Sequence, residues 1–384
     1  MGSNPTPSAT SSVLDVVVPC SRSSAGAATP AVHGEESTIE IGDVVRGGRV
    51  LVTGGSGTIG ARIVDRVLDL GAEVVRVFGR DETKQFYQRQ RHHNRRELRF
   101  LIGDVRDRDR VDRAMENIDL VFHCAALKHV ESGEYNPFEA TLTNIIGTQN
   151  VIDACLARGV STMILTSSDK AANPTNVMGA SKLLAEKLVT AATNYRGAHE
   201  TTFASVRFGN VLGSRGSALE LFAGQISAGG PLTITDPSMT RFVMSTDRAV
   251  ELCLKAAGMA HGGEVFVFKM PVARLGDLVS AAIEVFAPLF GRDPGSIEVH
   301  PIESRPGESV YEELMTEFES QRAVDTGDMY AVLPSIDTGR HLEEMYGHAD
   351  PVQIGPYRSD GHQVMDRAEI VDLLRTTVAT ELRS

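Results

Sequence analysis

Three adjacent side chains near the middle of the chain carry groups that can transfer protons. Ser168, Asp169 and Lys170 supply a hydroxyl, a carboxyl and an amine in one short run, and a second amine follows at Lys182. Met178 stands four positions before Lys182. A thioether has no titratable proton and cannot be a general base at any pH. Acid–base work in this segment is therefore predicted to belong to Asp169 and Lys170.

A glycine-rich loop earlier in the chain indicates a phosphate-binding site. Gly54, Gly57 and Gly60 lie between an apolar strand and an amphipathic helix. This spacing allows a tight turn, close approach of the backbone to a pyrophosphate, and a helix N-terminus that faces the phosphates. The predicted cofactor contacts in this loop are Gly54, Ser56, Gly57, Thr58, Ile59 and Gly60.

The residues after the second predicted strand indicate which dinucleotide binds. NAD-binding proteins usually place an acidic residue there, whereas NADP-binding proteins use arginine. Arg80 and Lys84 could bracket a 2′-phosphate, so the sequence favours NADP over NAD. The other predicted nucleotide contacts are Asp104 and Val105 at the adenine, and Ala125 and Ala126 at the nicotinamide ribose.

Short strands and helices that would position these residues alternate from Arg49 onwards. The predicted strands are 49–53, 73–78, 99–102, 120–123, 162–166 and 203–208, and the predicted helices are 61–70, 111–115, 137–158 and 176–194. This alternation predicts an α/β fold, namely a Rossmann-type doubly wound parallel sheet with a smaller C-terminal substrate-binding lobe.

The chain is expected to have three parts. Residues 1–45, rich in Ser, Ala, Gly, Thr and Pro, form a predicted flexible extension. Residues 46–210 form the NADP-binding domain, and residues 211–384 form mainly the substrate-binding lobe, with some segments returning to the sheet. After Asn210 the chain is expected to be less regular, with loops over 213–217 and 229–240.

Composition restricts the kind of partner. The chain has 384 residues, 42% of them hydrophobic, and a formal net charge of -12, which argues against nucleic-acid and anionic-membrane surfaces. Four cysteines without a CxxC pair indicate neither a metal site nor a disulfide framework. No signal peptide or membrane-spanning segment is predicted. We therefore expect a cytoplasmic protein that binds small molecules.

Several further segments resemble UDP-N-acetylglucosamine 4,6-dehydratases, which are extended short-chain dehydrogenase/reductases. They are Cys124–Val130, Glu134–Pro137, Thr143–Thr148, Ser168–Gly179, Arg207–Ser217, Met239–Phe242 and Arg305–Glu308. The resemblance covers roughly residues 48 to 320. Met178 is similar to the branch of this family that has methionine in place of the usual tyrosine, including larger, membrane-anchored members. This chain looks like a shortened version without their transmembrane helices.

The resemblance implies a redox-neutral dehydration assisted by NADP. Hydride leaves sugar carbon 4, the ketone acidifies the proton on carbon 5, water is lost across carbons 5 and 6, and hydride returns to carbon 6. Asp169 is implied as the acid and Lys170 as the base, so the pKa of Lys170 is expected to fall. Ser168 would bind the oxygen on carbon 4, and Lys182 the nicotinamide ribose. The base for the carbon-4 hydroxyl is hypothesised to be Asp169.

The resemblance also supplies the other binding residues. Asn144 is expected at the cofactor, and Met178 within the catalytic group. A homo-oligomer formed through helices beside the sheet is expected. The predicted substrate-binding residues are Lys128, Asn210, Arg241, Arg305 and Glu308.

Other activities stay open at this stage. The favoured outcome retains the configuration of carbon 5, but a carbon-5-inverting dehydratase or a 5,6-ene-forming enzyme could use the same scaffold. Carbon-4 epimerisation is a more distant alternative, because epimerases generally need the absent tyrosine. A non-catalytic NADP-binding regulatory protein is the alternative from another class.

Overall fold

A computed structural model describes residues 41–303, 308–337 and 342–381. Its strands are β1 Arg49–Thr53, β2 Val74–Gly79, β3 Leu98–Ile102, β4 Leu120–His123, β5 Thr162–Thr166, β6 Thr202–Arg207, β7 Asn210–Val211, β8 Leu232–Ile234, β9 Thr240–Met244, β10 Val265–Phe268, β11 Val272–Arg274, β12 Val299–Pro301, β13 Glu313–Met315, β14 Ala323–Asp325, β15 Met329–Val332, β16 Asp350–Pro351 and β17 Tyr357–Arg358.

The α-helices are α1 Ile41–Val45, α2 Thr58–Asp69, α3 Glu82–Arg91, α4 Arg108–Ala114, α5 Val130–Tyr135, α6 Pro137–Ala140, α7 Gly147–Arg158, α8 Val177–Tyr195, α9 Ala218–Ala228, α10 Thr246–Met259, α11 Leu275–Leu289, α12 Glu317–Ser320, α13 Leu342–Met345 and α14 Arg367–Glu381. A π-helical segment spans Thr141–Ile146, and 3₁₀ turns span Asp169–Ala171, Pro294–Ser296 and Ser359–Gly361.

Ten strands form a central sheet in the order β16-β14-β15-β10-β6-β5-β4-β1-β2-β3. The seven strands from β10 to β3 are parallel to one another. Strands β15, β14 and β16 extend the sheet in antiparallel fashion. The prediction of a Rossmann-type α/β fold is therefore confirmed.

The core lies on both faces of this sheet, as the pattern of β1 shows. Val50 and Val52 pack with Ile63 and Val67 of α2 on one face. Leu51 between them packs on the other face, in the cluster that contains Ile152 of α7. Successive side chains of a strand point to opposite faces, so a strand buried on both sides is apolar throughout.

A buried ion cluster connects the sheet to the helix α8. The Arg207 side chain at the end of β6 has no exposed surface and lies 2.6 Å from Glu186 of α8 and 2.9 Å from Glu319 of α12. Its guanidinium also donates to the carbonyl of Leu314 in β13. Two carboxylates and a carbonyl thus compensate the buried cation.

Two details differ from the sequence-based expectations. The helix predicted over 137–158 is divided by the π-helical segment into α6 and α7. The region after Asn210 is more regular than expected, because α9, α10 and α11 lie between and after the predicted loops, and β10, β14, β15 and β16 join the central sheet. Smaller sheets pair β7 and β11 with β9, β8 with β12, and β13 with β17.

The predicted extension is only partly described. Residues 41–45 of the predicted flexible extension form the short helix α1, and Val45 is fully buried in the core cluster that contains Val50. Residues 1–40 lie outside the described residues. None of the described helices is long and apolar enough to cross a membrane.

Candidate active site

A cavity of about 2250 Å³ follows the carboxyl ends of the parallel strands, the usual ligand position in open α/β sheets. It brings together most of the residues predicted from the sequence. These are Gly54, Ser56, Gly57, Thr58, Ile59, Gly60, Arg80, Lys84, Asp104, Val105, Ala125, Ala126, Lys128, Ser168, Asp169, Lys170, Met178, Lys182, Asn210, Arg241 and Glu308. Predicted residue Arg305 lies outside the described residues.

The glycine loop between β1 and α2 leaves space that side chains would fill. Gly54 has a φ of +65°, and a Cβ there would lie 2.8 Å from the backbone nitrogen of Ala125. A Cβ on Gly60 would overlap the carbonyl oxygen of Gly54. Gly57 precedes α2 without a side-chain cap, so the first amides of the helix can receive an anion. These features fit the pyrophosphate of a dinucleotide.

The two cations predicted at the 2′-phosphate each lie beside an acid. The Lys84 Nζ is 2.8 Å from Asp81, whose carboxylate also caps α3 by accepting from the Lys84 backbone amide. Arg80 lies 3.5 Å from Asp104 and is about half exposed. Asp104 itself is held by Arg106, whose Nε donates at 2.9 Å. Arg80 and Lys84 therefore both line the cavity, and Asp104 is an ion-pair partner of Arg80.

Arg215 reaches this region from the loop after β7, a contact that the sequence analysis missed. Its guanidinium donates to the carbonyl of Ser56 at 2.9 Å, and its backbone amide donates to the Thr58 hydroxyl at 3.2 Å. Lys128 donates to the carbonyl of Arg215. The run 213–217 shows a loop in sequence, but no pattern reveals that it returns to the phosphate-binding loop.

Ser168, Asp169 and Lys170 are hydrogen-bonded to one another at the end of β5. The Ser168 hydroxyl donates to one oxygen of Asp169 at 2.6 Å, and the Lys170 Nζ donates to the other at 2.9 Å. The Asp169 side chain is 5% exposed, whereas that of Lys170 is 35% exposed. The backbone amide of Asp169 donates to Phe208, which fixes the turn. A hydroxyl, a carboxylate and an ammonium therefore form one chain of hydrogen bonds.

The pKa of Lys170 is raised, contrary to the expectation that it falls. Burial alone would lower this pKa, but the carboxylates of Asp169 and Glu312 together outweigh the effect of burial. The direct bond from Lys170 to Asp169 acts in the same direction. The paired lysine is thus an ammonium at neutral pH and becomes a base only when its charge partners change.

Helix α8 positions Met178 and Lys182 beside this pair. Asn176 caps the helix by accepting from the Gly179 amide at 2.9 Å. Lys182, one turn after Met178, donates to the Thr166 carbonyl at 2.9 Å, and burial lowers its pKa to about 8. Met178 is 3% exposed, so it is both a core residue and part of the cavity wall.

Asn144 is not brought to the cavity. Its amide donates to the Leu127 carbonyl at 3.0 Å and to the Ser181 hydroxyl at 2.9 Å, while its oxygen accepts from the Leu127 amide. The side chain is 1% exposed. Asn144 therefore holds the loop after Ala126, and any effect on the cofactor is indirect.

The opposite wall is formed by residues after β6. Arg241 lies 3.6 Å from both Glu308 and Glu312, and Asn210 donates to Glu312 at 2.8 Å. Glu308 also accepts from the Thr235 hydroxyl at 3.2 Å. Glu312 has no signature in the sequence, because its partners are far away in the chain. Among residues 41–303, 308–337 and 342–381, no cluster of His, Cys, Asp and Glu could hold a metal ion.

The sheet order, the glycine loop and the lysine on α8 define an extended short-chain dehydrogenase/reductase. Residues 50–334 match the model of the polysaccharide biosynthesis protein family. The chain belongs to that family.

The relatives include both dehydratases and epimerases. An uncharacterized membrane protein from Methanocaldococcus jannaschii is 49% identical, covering 78% of this chain and 90% of its own. A UDP-N-acetylglucosamine 4,6-dehydratase (inverting) from Campylobacter jejuni is 40% identical, covering 75% and 83%. A UDP-glucose 4-epimerase from Rickettsia conorii is 38% identical, covering 85% and 95%. The crystal structure of Pen from Bacillus thuringiensis is 45% identical, with a TM-score of 0.80 over 87% of this chain and 98% of that one.

Proposed function

We propose that the protein dehydrates UDP-N-acetylglucosamine to a UDP-4-keto-6-deoxy-N-acetylhexosamine with NADP as a resident cofactor. The observation that carries this proposal is the hydrogen-bonded group of Ser168, Asp169 and Lys170 beside Lys182 in the cavity. The Campylobacter relative with this activity supports it. An elimination needs both an acid and a base, and this group supplies both.

The first proton transfer follows from the bond between Ser168 and Asp169. When Ser168 binds the hydroxyl on carbon 4, its own proton can pass to Asp169 along the 2.6 Å bond. The protonated Asp169 is then the acid for the hydroxyl that leaves carbon 6. The same transfer removes the carboxylate charge that keeps Lys170 protonated. Loss of that charge favours release of the Lys170 proton to solvent, to which this side chain is 35% exposed. The amine that results is the form that can abstract the proton on carbon 5.

The phosphate loop, Arg80, Lys84 and Lys182 would hold the cofactor. Bound NADP would supply the redox chemistry, as acceptor and donor of the hydride that moves between carbons 4 and 6. Arg80 and Lys84 support a preference for NADP over NAD, because two cations suit a 2′-phosphate. Arg80→Ala should weaken NADP binding more than NAD binding, which titration of each dinucleotide measures.

The nucleotide part of the substrate is assigned to the wall that carries Arg241. A guanidinium suits a diphosphate, and the Glu308 carboxylate suits ribose hydroxyls. Asn210 and Lys128 line the same cavity. Arg305 stays a predicted substrate-binding residue.

Proton NMR of UDP-N-acetylglucosamine incubated with the protein in heavy water tests the function. A new methyl signal, collapsed by deuterium at carbon 5, is expected from the wild type and absent in Asp169→Asn and Lys170→Ala. Unchanged substrate would contradict the proposal and is the result that a non-catalytic NADP-binding protein predicts. Full activity in both variants would contradict the roles given to Asp169 and Lys170. Retention at carbon 5 is the outcome favoured by the sequence, whereas the Campylobacter relative inverts, and coupling constants of the product distinguish the two. Alkene signals would instead identify a 5,6-ene product.

Carbon-4 epimerisation is the second candidate, because the Rickettsia relative is named as an epimerase. An epimerase would leave carbon 6 as a hydroxymethyl group and give the galacto isomer. The same NMR experiment separates this product from the methyl product. Met178 at the tyrosine position favours dehydration.

We also propose a homo-oligomer that associates through α7 and α8. Ile146, Leu184 and Tyr195 on or beside these helices are each more than two fifths exposed. Light scattering should show a mass above one chain, which Leu184→Asp reduces. A monomeric wild type would contradict this proposal.

A further inference from the structure

Glu312 is a buried carboxyl group that the reaction scheme above does not use. Both of its oxygens accept from the Asn210 amide at 2.8 Å, and one also accepts from the backbone amide of Phe242 at 2.9 Å. Its side chain is 9% exposed. Its backbone exchanges two hydrogen bonds with Ser359, so the residue is fixed by the main chain as well.

The surroundings of Glu312 are those of the predicted acid–base pair. Arg241 on β9 lies 3.6 Å from it, and the charges of Asp169 and Lys170 on the 3₁₀ turn act on it. Burial, followed by repulsion from Asp169, raises the pKa of Glu312, while Lys170 and Arg241 oppose this rise. The carboxylate in turn helps to keep Lys170 protonated. The charges of the two acids, Glu312 and Asp169, thus interact with those of Lys170 and Arg241.

We propose that Glu312 is a positioning residue for the dehydration, which holds Asn210 and Arg241 in the substrate wall. This inference rests on the proposed function. On this proposal Glu312, which lines the cavity, acts through these two side chains and through the effect of its charge on Lys170. Its role has two parts, since one carboxylate both orients the wall and acts on Lys170 by its charge.

Glu312→Gln separates charge from shape, because glutamine keeps the size and one acceptor oxygen. The rising limb of kcat against pH, which on the proposed scheme follows deprotonation of Lys170 after Asp169 gains its proton, should move to lower pH by about one unit. KM should rise roughly three- to tenfold, because the bonds to Asn210 and Arg241 are weakened. If Glu312→Gln only destabilised the fold, it would lower the amount of active enzyme and leave the position of the rising limb on the pH axis unchanged.

Glu264→Gln is the matched control. Glu264 is also buried with a raised pKa, and it is held by the amides of His261 and Gly262 and by Tyr346, but it does not line the cavity. Its replacement should lower stability and leave the pH profile unchanged. Equal shifts of the pH profile in Glu312→Gln and Glu264→Gln would overturn the role of Glu312.

A titration without substrate distinguishes the possible failures. In protein labelled with ¹³C at lysine Cε, the signal of Lys170, assigned with Lys170→Arg, should titrate at lower pH in Glu312→Gln. Wild-type protein that leaves UDP-N-acetylglucosamine unchanged would overturn the proposed function. The role of Glu312 would be overturned if the wild type is active but Glu312→Gln changes neither the rising limb of the pH–rate profile nor the titration of Lys170.

Discussion

Gly179 on α8 lies directly against the carbonyl group of Lys170, and a Cβ at this position would overlap the carbonyl oxygen. The missing side chain allows the first turn of α8 to touch the 3₁₀ turn that carries the acid and base. Helix α8 also carries Lys182, so this contact sets the distance between Lys182 and the pair of Asp169 and Lys170.

Gly179→Ala should therefore lower kcat by about 10²-fold, because even a small displacement of catalytic groups is costly. Circular dichroism should show that the fold is kept. Gly295→Ala is the control, since its Cβ would meet only ordinary contacts, the nearest at 3.5 Å. Equal kcat in the two variants would show that the contact does not position the pair.

Lys182 should give the protein a pH-dependent stability. Burial lowers its folded-state pKa to about 8 from the usual 10.5, so the unfolded chain binds more protons between these values. The free energy of unfolding should rise with pH across this window by up to roughly 3 kcal/mol, at about 1.4 kcal/mol per pH unit. Lys182→Met should lack this rise when both proteins are denatured with urea at pH 7.5 and 10. An equal rise of the free energy of unfolding in the wild type and in Lys182→Met would contradict the assignment of this pH dependence to Lys182.

Arg215→Ala should weaken NADP binding roughly tenfold. The substitution removes a guanidinium that is bonded to the phosphate loop through the Ser56 carbonyl. Calorimetric titration with NADP measures this without turnover. Arg108→Ala removes an exposed arginine outside the cavity lining and should leave the affinity unchanged. An unaltered affinity in Arg215→Ala would place the guanidinium outside the binding interaction.

Arg207→Met should destabilise the fold by about 3–5 kcal/mol, because it leaves Glu186 and Glu319 buried without their cation. Arg196→Met breaks a pair whose Glu200 partner is 90% exposed, so its cost should stay below about 1 kcal/mol. Urea denaturation compares the two variants. A similarly small loss of stability in both variants would mean that the carboxylates of Glu186 and Glu319 bind other partners or become protonated.

The sequence allowed prediction of the parts of the site that are local in the chain. The glycine loop and the run from Ser168 to Lys170 line the same cavity, because parallel strands present their carboxyl ends at one edge of the sheet. Glu312 and Arg215 could not be predicted, since their partners are distant in sequence. Asn144 shows a further limit, because its residue type did not reveal that both ends of its amide bind the protein itself.

The hydrogen bond from Ser168 to Asp169 has a consequence for the direction of the reaction. Met178 offers no proton, so on the proposed scheme the oxygen on carbon 4 can regain a proton only through Ser168 and Asp169. That proton departs with the water from carbon 6. Once elimination has occurred, the proton left in this chain of hydrogen bonds is the one that Lys170 took from carbon 5, and the forward path returns that proton to carbon 5. A side chain that cannot ionise thereby disfavours reduction back at carbon 4.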